Sequence, residues 1–310
     1  MILFNGARGG LGRHLGPALH RRGLAGIALQ SLLDDRTGLR RELESLDVGD
    51  RATLLQLAAL VPVADCEAEP SRAWKTNVED TCGTVEQVVA WARERGFPVR
   101  VLYVSSGHVY AAPPIGRPVR EDDPLGPRST YARTKLAAEA KLTALASQHG
   151  FELRVARVFG LIAPAQPPAY VLPGLIRRAR ENRLQNVPGL SYVRDYLDAR
   201  DVCEVLLDLA TSGTWADSPE LLNVCSGQAV SLLQLLSTIL QELRPEQAEV
   251  LLASATEAPG RPDDIRWLVG DASRLRVLLG REPARIPLRE TIREAVTTSV
   301  SQAPWSTPAG

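Results

Sequence analysis

The 310-residue chain is 45% hydrophobic and 23% charged, with 36 Lys+Arg against 36 Asp+Glu, the profile of a folded globular protein of about two structural lobes. Zero formal net charge supplies no long-range field for nucleic acid or an anionic membrane, and the longest nearly apolar stretch, residues 54–64, falls well short of the roughly 18 residues of a membrane span. Cys66, Cys82, Cys203 and Cys225 form no C-x-x-C pair and no zinc-ligand spacing, and residues 1–5 carry no signal-peptide pattern, so reduced thiols, no metal and a cytoplasmic location are expected.

In chain order, the sequence predicts a strand over residues 1–5, a glycine loop from Gly6 to Gly12 and a helix to about Arg22 closed by Gly23. A second apolar run over 24–33 ends at Asp34-Asp35, where Asp35 suits the N-cap of a helix over about 36–46 patterned by Leu39, Leu43 and Leu46. A strand over 52–59, a long amphipathic helical stretch over 72–95, a β-branched strand over 100–104, an Ala/Leu-rich helix over 130–148 and a strand over 153–158 follow. This alternation predicts an α/β fold: a Rossmann-like, doubly wound parallel sheet with helices on both faces, and ligands at the carboxyl ends of its strands. Past residue 160 come a Pro-rich loop, an Arg-rich helix over about 175–183, a helix over 199–210, a strand over 221–224 and a helix over 232–243. The expected domains are a dinucleotide-binding domain over 1–160, to which 192–226 returns, and a smaller C-terminal α/β substrate lobe over 161–191 and 227–298. A loose tail is expected over 299–310.

The run Gly6-Ala7-Arg8-Gly9-Gly10-Leu11-Gly12 spaces glycines as G-x-x-G-x-x-G between a strand and a helix. There the backbone can approach a pyrophosphate, while the helix N-terminus supplies N–H groups and a positive dipole. No acid stands near Gln30-Ser31, where the second strand ends, and Arg8 offers a partner for a 2′-phosphate, so NADP(H) is favoured with NAD(H) as the alternative. The strongest constellation is Tyr131-Ala-Arg-Thr-Lys135, preceded by Ser105-Ser106 at a strand end. Tyr131 and Lys135 share one helix face. An adjacent ammonium stabilises a phenolate and lowers a phenol pKa from its ordinary value near ~10, which makes Tyr131 usable as a general acid or base. Ser106 would hydrogen-bond the reacting carbonyl or alcohol, and Lys135 would also hold the nicotinamide ribose. A chance Y-x-x-x-K on a packed helix is common; its conjunction with the glycine loop and the strand-end serine argues against chance.

On these residues the chain resembles the extended short-chain dehydrogenase/reductases, the NAD-dependent epimerase/dehydratase superfamily, and particularly those acting on nucleotide-diphosphate sugars. Leu57-Ala58-Ala59 is similar to that family's strand-end cofactor motif, and Lys75-Thr76-Asn77-Val78 to its helix motif with a structural and proton-relay Asn. Val104-Ser105-Ser106 with Val109-Tyr110, and Glu121-Asp122-Asp123-Pro124 leading to Tyr131 and Lys135, match its catalytic region. Arg194-Asp195-Tyr196-Leu197-Asp198, Leu222-Asn223-Val224-Cys225-Ser226-Gly227 and Arg261-Pro262-Asp263-Asp264 match its substrate lobe, although Gly160 stands where relatives commonly have Asn. The resemblance implies Ser106, Tyr131 and Lys135 as catalytic residues. It adds Leu57, Ala58, Ala59, Asn77 and Val158 to Gly6, Arg8, Gly9, Gly10, Leu11 and Gly12 as cofactor contacts, with Tyr131 and Lys135. It implies substrate contacts from Ser106, Gly107, His108 and Tyr131, and a diphosphate held by Arg194 and Arg261.

Two features narrow the implied activity. The family's 4,6-dehydratases follow the catalytic Ser/Thr with Asp and Glu, whereas Gly107 and His108 stand here, and elimination of water then lacks its acid and base. The short stretch before the strand at residue 52 and the run 63–70 are similar to dTDP-4-dehydrorhamnose reductases; residues 166–171 and 261–280 are similar to GDP-4-keto-6-deoxymannose reductases. The resemblance therefore implies an NAD(P)H-dependent reductase of a nucleotide-diphosphate 4-keto-6-deoxyhexose. It also implies a homodimer paired through helices over about 77–95 and 130–148, with neither nucleic acid nor membrane as partner. A 4-epimerase retaining tightly bound NAD, a reductase of a non-nucleotide carbonyl compound and a cofactor-sensing regulator are the alternatives, the last being expected to lose the Tyr/Lys pair. His14, His20 and His149 read as surface residues, and Trp74 and Trp91 as packing or interface residues.

Overall fold

Strands covered by helices on both faces must be apolar throughout, and short runs such as ILF and VRVLYVSS are built for that environment. The computed structural model describes residues 1–47, 49–212, 215, 221–261 and 264–301. Its first half comprises β1 (Ile2–Phe4), α1 (Gly12–Arg21), β2 (Gly26–Ala28), α2 (Arg36–Glu44), β3 (Ala52–Gln56), α3 (Val63–Ala68), α4 (Pro70–Trp74), a π-helical turn (Lys75–Asp80) running into α5 (Thr81–Glu94), β4 (Val99–Ser106), α6 (Thr130–His149) and β5 (Glu152–Val158). There follow β6 (Gly160–Ile162), α7 (Val171–Arg180), β7 (Val187–Pro188), β8 (Val193–Arg194), β9 (Tyr196–Asp198), α8 (Ala199–Thr211), β10 (Leu221–Val224) and β11 (Val230–Ser231). The described chain ends with α9 (Leu232–Leu243), α10 (Ala248–Ala253), β12 (Glu257–Ala258), β13 (Trp267–Leu268), α11 (Ser273–Leu279) and α12 (Leu288–Ser301).

Six strands form one sheet in the order β10-β5-β4-β3-β1-β2, every pair parallel. The winding direction reverses between β1 and β3, and the crevice outside the carboxyl ends of the strands at such a reversal is where α/β sheets bind ligands. One face is covered by α2, α5 and α6, with Trp91 fully buried and edge-on to Phe97 at 5.1 Å between ring centroids. The other face is covered by α1, α8 and α11, through Leu15, Leu19, Val202, Leu206 and Leu275. A further core joins α7, α9 and α12. Local chemistry sets the helix ends: Asp35 accepts from the Gly38 N–H as expected, Ser129 caps α6 and Gly150 ends it at φ 70, and Ser231 with Gln234 forms a capping box on α9.

Several boundaries differ from expectation for physical reasons. β2 is only 3 residues long, because Gln30 and Ser31 leave the sheet and give their N–H groups to Glu42 instead. The Arg-rich helix starts at Val171 rather than near 175: Pro173 falls in its first turn, where no intrahelical N–H is required. The stretch expected as one helix over 72–95 starts at Pro70 and contains the π-helical turn. Of the expected tail, residues 302–310 lie outside the described residues. Among the described residues no helix is long and apolar enough to cross a membrane.

A buried carboxylate ties the later strands to the sheet. Asp195, between β8 and β9, is fully buried and accepts from the Ser226 N–H at 2.8 Å, the Ser226 hydroxyl at 2.6 Å, the Gly227 N–H at 2.8 Å and the Gly270 N–H at 3.3 Å. Gly160 is obligatory beside it, since a Cβ there would stand 2.4 Å from the Asp195 carbonyl oxygen. Removing the carboxylate strands several buried donors, each worth roughly 1–3 kcal/mol when unpaired. Asp195→Ala is therefore expected to lose about 3 kcal/mol or more of stability, read as a lowered Tm, with Asp195→Asn in between; a Tm equal to that of the parent would refute this account.

Candidate active site

The glycine loop is shaped by close approach. Gly6 adopts φ +70 directly against Ala58, the Gly9 N–H donates to the Gly6 carbonyl at 2.9 Å, and a Cβ on Gly12 would lie 2.1 Å from that same oxygen. No side chain caps α1; the Arg13 and His14 N–H groups turn back to the Gly9 and Leu11 carbonyls, which leaves the loop's end at Leu11 and Gly12 to face an anion, as a pyrophosphate requires. Arg8 projects from the loop into solvent, and the Arg13 guanidinium donates to its carbonyl at 3.3 Å.

Asn5 holds the facing wall. Its Oδ1 accepts the N–H groups of Leu57 and Ala58, both at 2.8 Å, and its Nδ2 donates to Gln56 Oε1 at 2.5 Å. The segment Leu57-Ala58-Ala59 is thereby pinned beside Gly6. Asn77 sits in the π-helical turn, which aims its side chain inward: it accepts the Leu60 N–H at 2.7 Å and donates to the Leu60 carbonyl and to Thr134 Oγ1, both at 3.0 Å. It thus links the segment after β3 to α6.

Ser106 ends β4, opposite Val158 in the sheet register, and accepts the His108 N–H at 3.2 Å. Tyr131 and Lys135 project from successive turns of α6, whose start is held by Glu67 accepting from the Thr130 N–H at 2.6 Å and hydroxyl at 2.7 Å. Ser106, Tyr131 and Lys135 are all buried. Burial pushes the Tyr131 phenol above its ordinary range, partly offset by a hydrogen bond with Ser106. The Lys135 ammonium stands 4.7 Å from the centroid of the Tyr103 ring, and burial pushes it down to about 8, against the opposing pull of Glu139. The net lowering of the tyrosine pKa expected from the sequence does not result: desolvation of the phenol dominates and raises it, and Tyr131 stays protonated at neutral pH.

One turn beyond Lys135, Glu139 accepts from the Ser105 hydroxyl and forms a buried ion pair with Arg157, at 3.1 Å from Nε and 2.7 Å from Nη2. The Arg157 guanidinium lies 4.6 Å from the Tyr110 ring centroid, and the Tyr110 hydroxyl donates to Asn223 Oδ1 at 2.7 Å. Tyr110 therefore anchors β10. Asn5, Glu67, Thr134 and Glu139 were not singled out from the sequence; only Glu139 left a signal there, in the 131/135/139 spacing along one helix face.

On the substrate side, Gly107 packs against the Phe159 ring, where a Cβ would be at 3.0 Å. His108 is pushed down to about 4 by burial, with Arg194 and Arg261 acting in the same direction and Asp264 opposing them, so it is neutral at physiological pH. Arg194 donates to Asp264 Oδ1 at 2.7 Å and to the Val193 carbonyl at 2.9 Å. Arg261 and Asp264 line a cleft of about 870 Å³ together with Arg128, Ser191, Tyr192 and Trp267. Pro262 and Asp263 of the same motif lie outside the described residues. The fold thus gathers the glycine loop, Ser106, Tyr131 and Lys135 at the carboxyl edge of the sheet, and places Arg194 and Arg261 together beyond His108.

Of the remaining residues, His20 and His149 are exposed as expected. His14 is not: it is half-buried, and burial lowers its pKa against the pull of Asp198. Trp91 is core, whereas Trp74 is 41% exposed, with Lys141 Nζ 6.0 Å from its ring centroid. Among the described residues no group of three or more His, Cys, Asp or Glu is placed to hold a metal ion.

Residues 2–225 match the NAD dependent epimerase/dehydratase family. The chain is 30% identical over 249 residues to GDP-6-deoxy-D-mannose reductase of Pseudomonas aeruginosa, covering 77% of each chain. It is 27% identical over 317 residues to dTDP-6-deoxy-L-talose 4-dehydrogenase (NAD(P)(+)) of Kitasatospora kifunensis, covering 96% of this chain and 95% of that one. Among solved structures, UDP-glucose 4-epimerase of Thermotoga maritima with UDP-glucose superimposes with a TM-score of 0.81 at 21% identity, over 96% of this chain and 98% of that one, a likeness of fold.

Proposed function

The chain belongs to the NAD dependent epimerase/dehydratase family, and we propose that it is an NAD(P)H-dependent reductase of a nucleotide-diphosphate 4-keto-6-deoxyhexose. The observation that carries this reading is Tyr131, a buried phenol hydrogen-bonded to Ser106 and kept protonated, and so ready to give a proton to an alkoxide. The similarity to a GDP-6-deoxy-D-mannose reductase supports the substrate class. Gly107 and His108 beside Ser106, in place of two carboxylates, disfavour elimination of water.

The dinucleotide, when bound, supplies hydride from nicotinamide C4 to the 4-keto carbon. Its pyrophosphate is held by the backbone from Gly6 to Gly12, with Arg8 at the loop's edge, and Leu57, Ala58, Ala59, Asn77 and Val158 border its path along the strand ends. Ser106 donates its hydroxyl proton in a hydrogen bond to the carbonyl oxygen, which stabilises the charge developing there. Tyr131 then transfers its proton to that oxygen. Lys135 holds the ribose, and its positive charge stabilises the phenolate left behind. Arg194 and Arg261 clamp the nucleotide diphosphate, with Arg194 exchanging Asp264 for a phosphate oxygen.

NADPH and NADH oxidation by the purified protein, with GDP- and dTDP-4-keto-6-deoxyhexoses supplied by a coupled dehydratase, tests the reading. Stoichiometric cofactor consumption is expected, and Tyr131→Phe should lower kcat by about 100-fold or more with little change in KM for the sugar. No consumption, together with tightly bound NAD and interconversion of sugar isomers, would replace the reductase with a 4-epimerase. Because Lys135 is charged below about 8 and neutral above it, kcat/KM should be level at neutral pH and fall as pH rises through that value. Lys135→Arg, which stays charged, should move the fall to higher pH.

A further inference from the structure

Glu42 lies on α2, yet its side chain turns back to the end of β2. Oε1 accepts the Gln30 N–H at 2.8 Å, and Oε2 accepts the Ser31 N–H at 3.1 Å and the Ser31 hydroxyl at 2.9 Å. Donors from two successive backbone amides and a hydroxyl make an anion cradle, here filled by the protein's own carboxylate. The location gives the contact its meaning. Phe4 pairs with Ala28 in the sheet register, and the Leu29 N–H donates to the Phe4 carbonyl at 2.8 Å, so Gln30 and Ser31 lie alongside the opening of the glycine loop at Gly6. In dinucleotide-binding sheets that place receives the adenosine ribose, and an acid there selects a 2′-hydroxyl. The end of β2 carries no acid of its own; the fold delivers one from α2.

Two cations of the elements around this turn, Arg36 and Lys75, already have acceptors. Arg36 donates to the Gly83 carbonyl at 2.8 Å, and Lys75 pairs with Asp80 at 2.8 Å and Asp34 at 3.6 Å.

We propose that Glu42 selects the nicotinamide cofactor, accepting the ribose 2′-hydroxyl of NADH and excluding the 2′-phosphate of NADPH. The inference rests on the reading that the chain binds a nicotinamide dinucleotide, and not on the identity of the sugar. A 2′-hydroxyl has a proton to give to a carboxylate that retains acceptor capacity beyond its three donors. A 2′-phosphate carries about −1.5 to −2 charges and must either lie against Glu42 or displace it from donors it already holds. Arg8 argues the other way, as the sequence led us to expect, but it supplies one solvated cation while the cradle itself is taken.

Dissociation constants for NADH and NADPH, measured by nicotinamide fluorescence titration of the full chain, decide the matter. The wild type is expected to bind NADH tighter by roughly ten-fold or more, and Glu42→Gln to reduce that ratio by about ten-fold through stronger NADPH binding. Tighter binding of NADPH by the wild type overturns the proposal, a result readable even if the variant fails to fold. An unchanged ratio in a Glu42→Gln protein with unchanged Tm overturns it equally. Binding of neither dinucleotide overturns both this inference and the cofactor reading beneath it. The expected preference without turnover of any ketosugar leaves Glu42 as the selector and overturns only the proposed reductase activity.

Discussion

Desolvation of the inner face of α6 is the constraint on which the rest of the site depends. Tyr131, Thr134, Lys135, Ala138, Glu139 and Leu142 are all buried along that face, and a helix that buries a phenol, an ammonium and a carboxylate needs a partner for each. Thr134 donates to the Tyr131 carbonyl at 2.8 Å and accepts from Asn77. Glu139 meets Arg157 and Ser105. Lys135 has the face of Tyr103 and the field of Glu139. The same burial that demands these partners moves both titrating groups towards neutrality, raising the phenol and lowering the ammonium. Folding and acid–base tuning are therefore one event, and burial strengthens the hold of Tyr131 on the proton it gives up in the proposed reaction.

Where α6 supplies the chemistry, bare backbone supplies the cradle. Gly6 and Gly12 are fixed by contacts with Ala58 and with the Gly6 carbonyl that no side chain could share, and Asn5 fastens the opposite wall to β1 through two hydrogen bonds of 2.8 Å. Because β1 and β3 are adjacent in the sheet, this clamp spans the point at which the strand order reverses. The glycine loop and the Leu57–Ala59 segment are thus both fastened to the sheet beneath them.

What the sequence made legible follows from range. Apolar runs mark the sheet strands because both faces are covered, and Tyr131 and Lys135 could be paired because helix periodicity alone puts them on one face. The glycine loop was readable for a similar local reason. Contacts closing over long separations were not. Asn5 reaches Ala58 across 53 positions and Arg194 reaches Asp264 across 70, and nothing in either neighbourhood announces the partner. Glu42 reads as a surface residue on an amphipathic helix, and only the turn between β2 and α2 brings it back to Ser31. The net direction of the Tyr131 shift was not legible, because spacing reports proximity, whereas burial depth, which governs both groups here, is a property of the assembled core. The π-helical turn that aims Asn77 likewise follows from packing against α6 and leaves no periodic trace.

Asp264 and Glu42 both hold donors that the proposed ligands would meet, and under the proposed reading the difference between them explains how one site admits an anion while the other refuses it. Asp264 holds Arg194 through a single side-chain contact of 2.7 Å beside an open cleft. In the proposed function a diphosphate arriving there would replace one charge-assisted bond with stronger bidentate ones, the guanidinium turning to meet it. Glu42 instead binds two backbone N–H groups and the hydroxyl between β2 and α2. The two backbone donors cannot turn, so an incoming phosphate must expel the carboxylate before gaining either of them, and the expelled charge remains nearby on α2. An anion seat built from a mobile cation yields to the ligand. One built from fixed backbone yields only to a ligand that leaves its occupant in place, and a ribose 2′-hydroxyl is such a ligand.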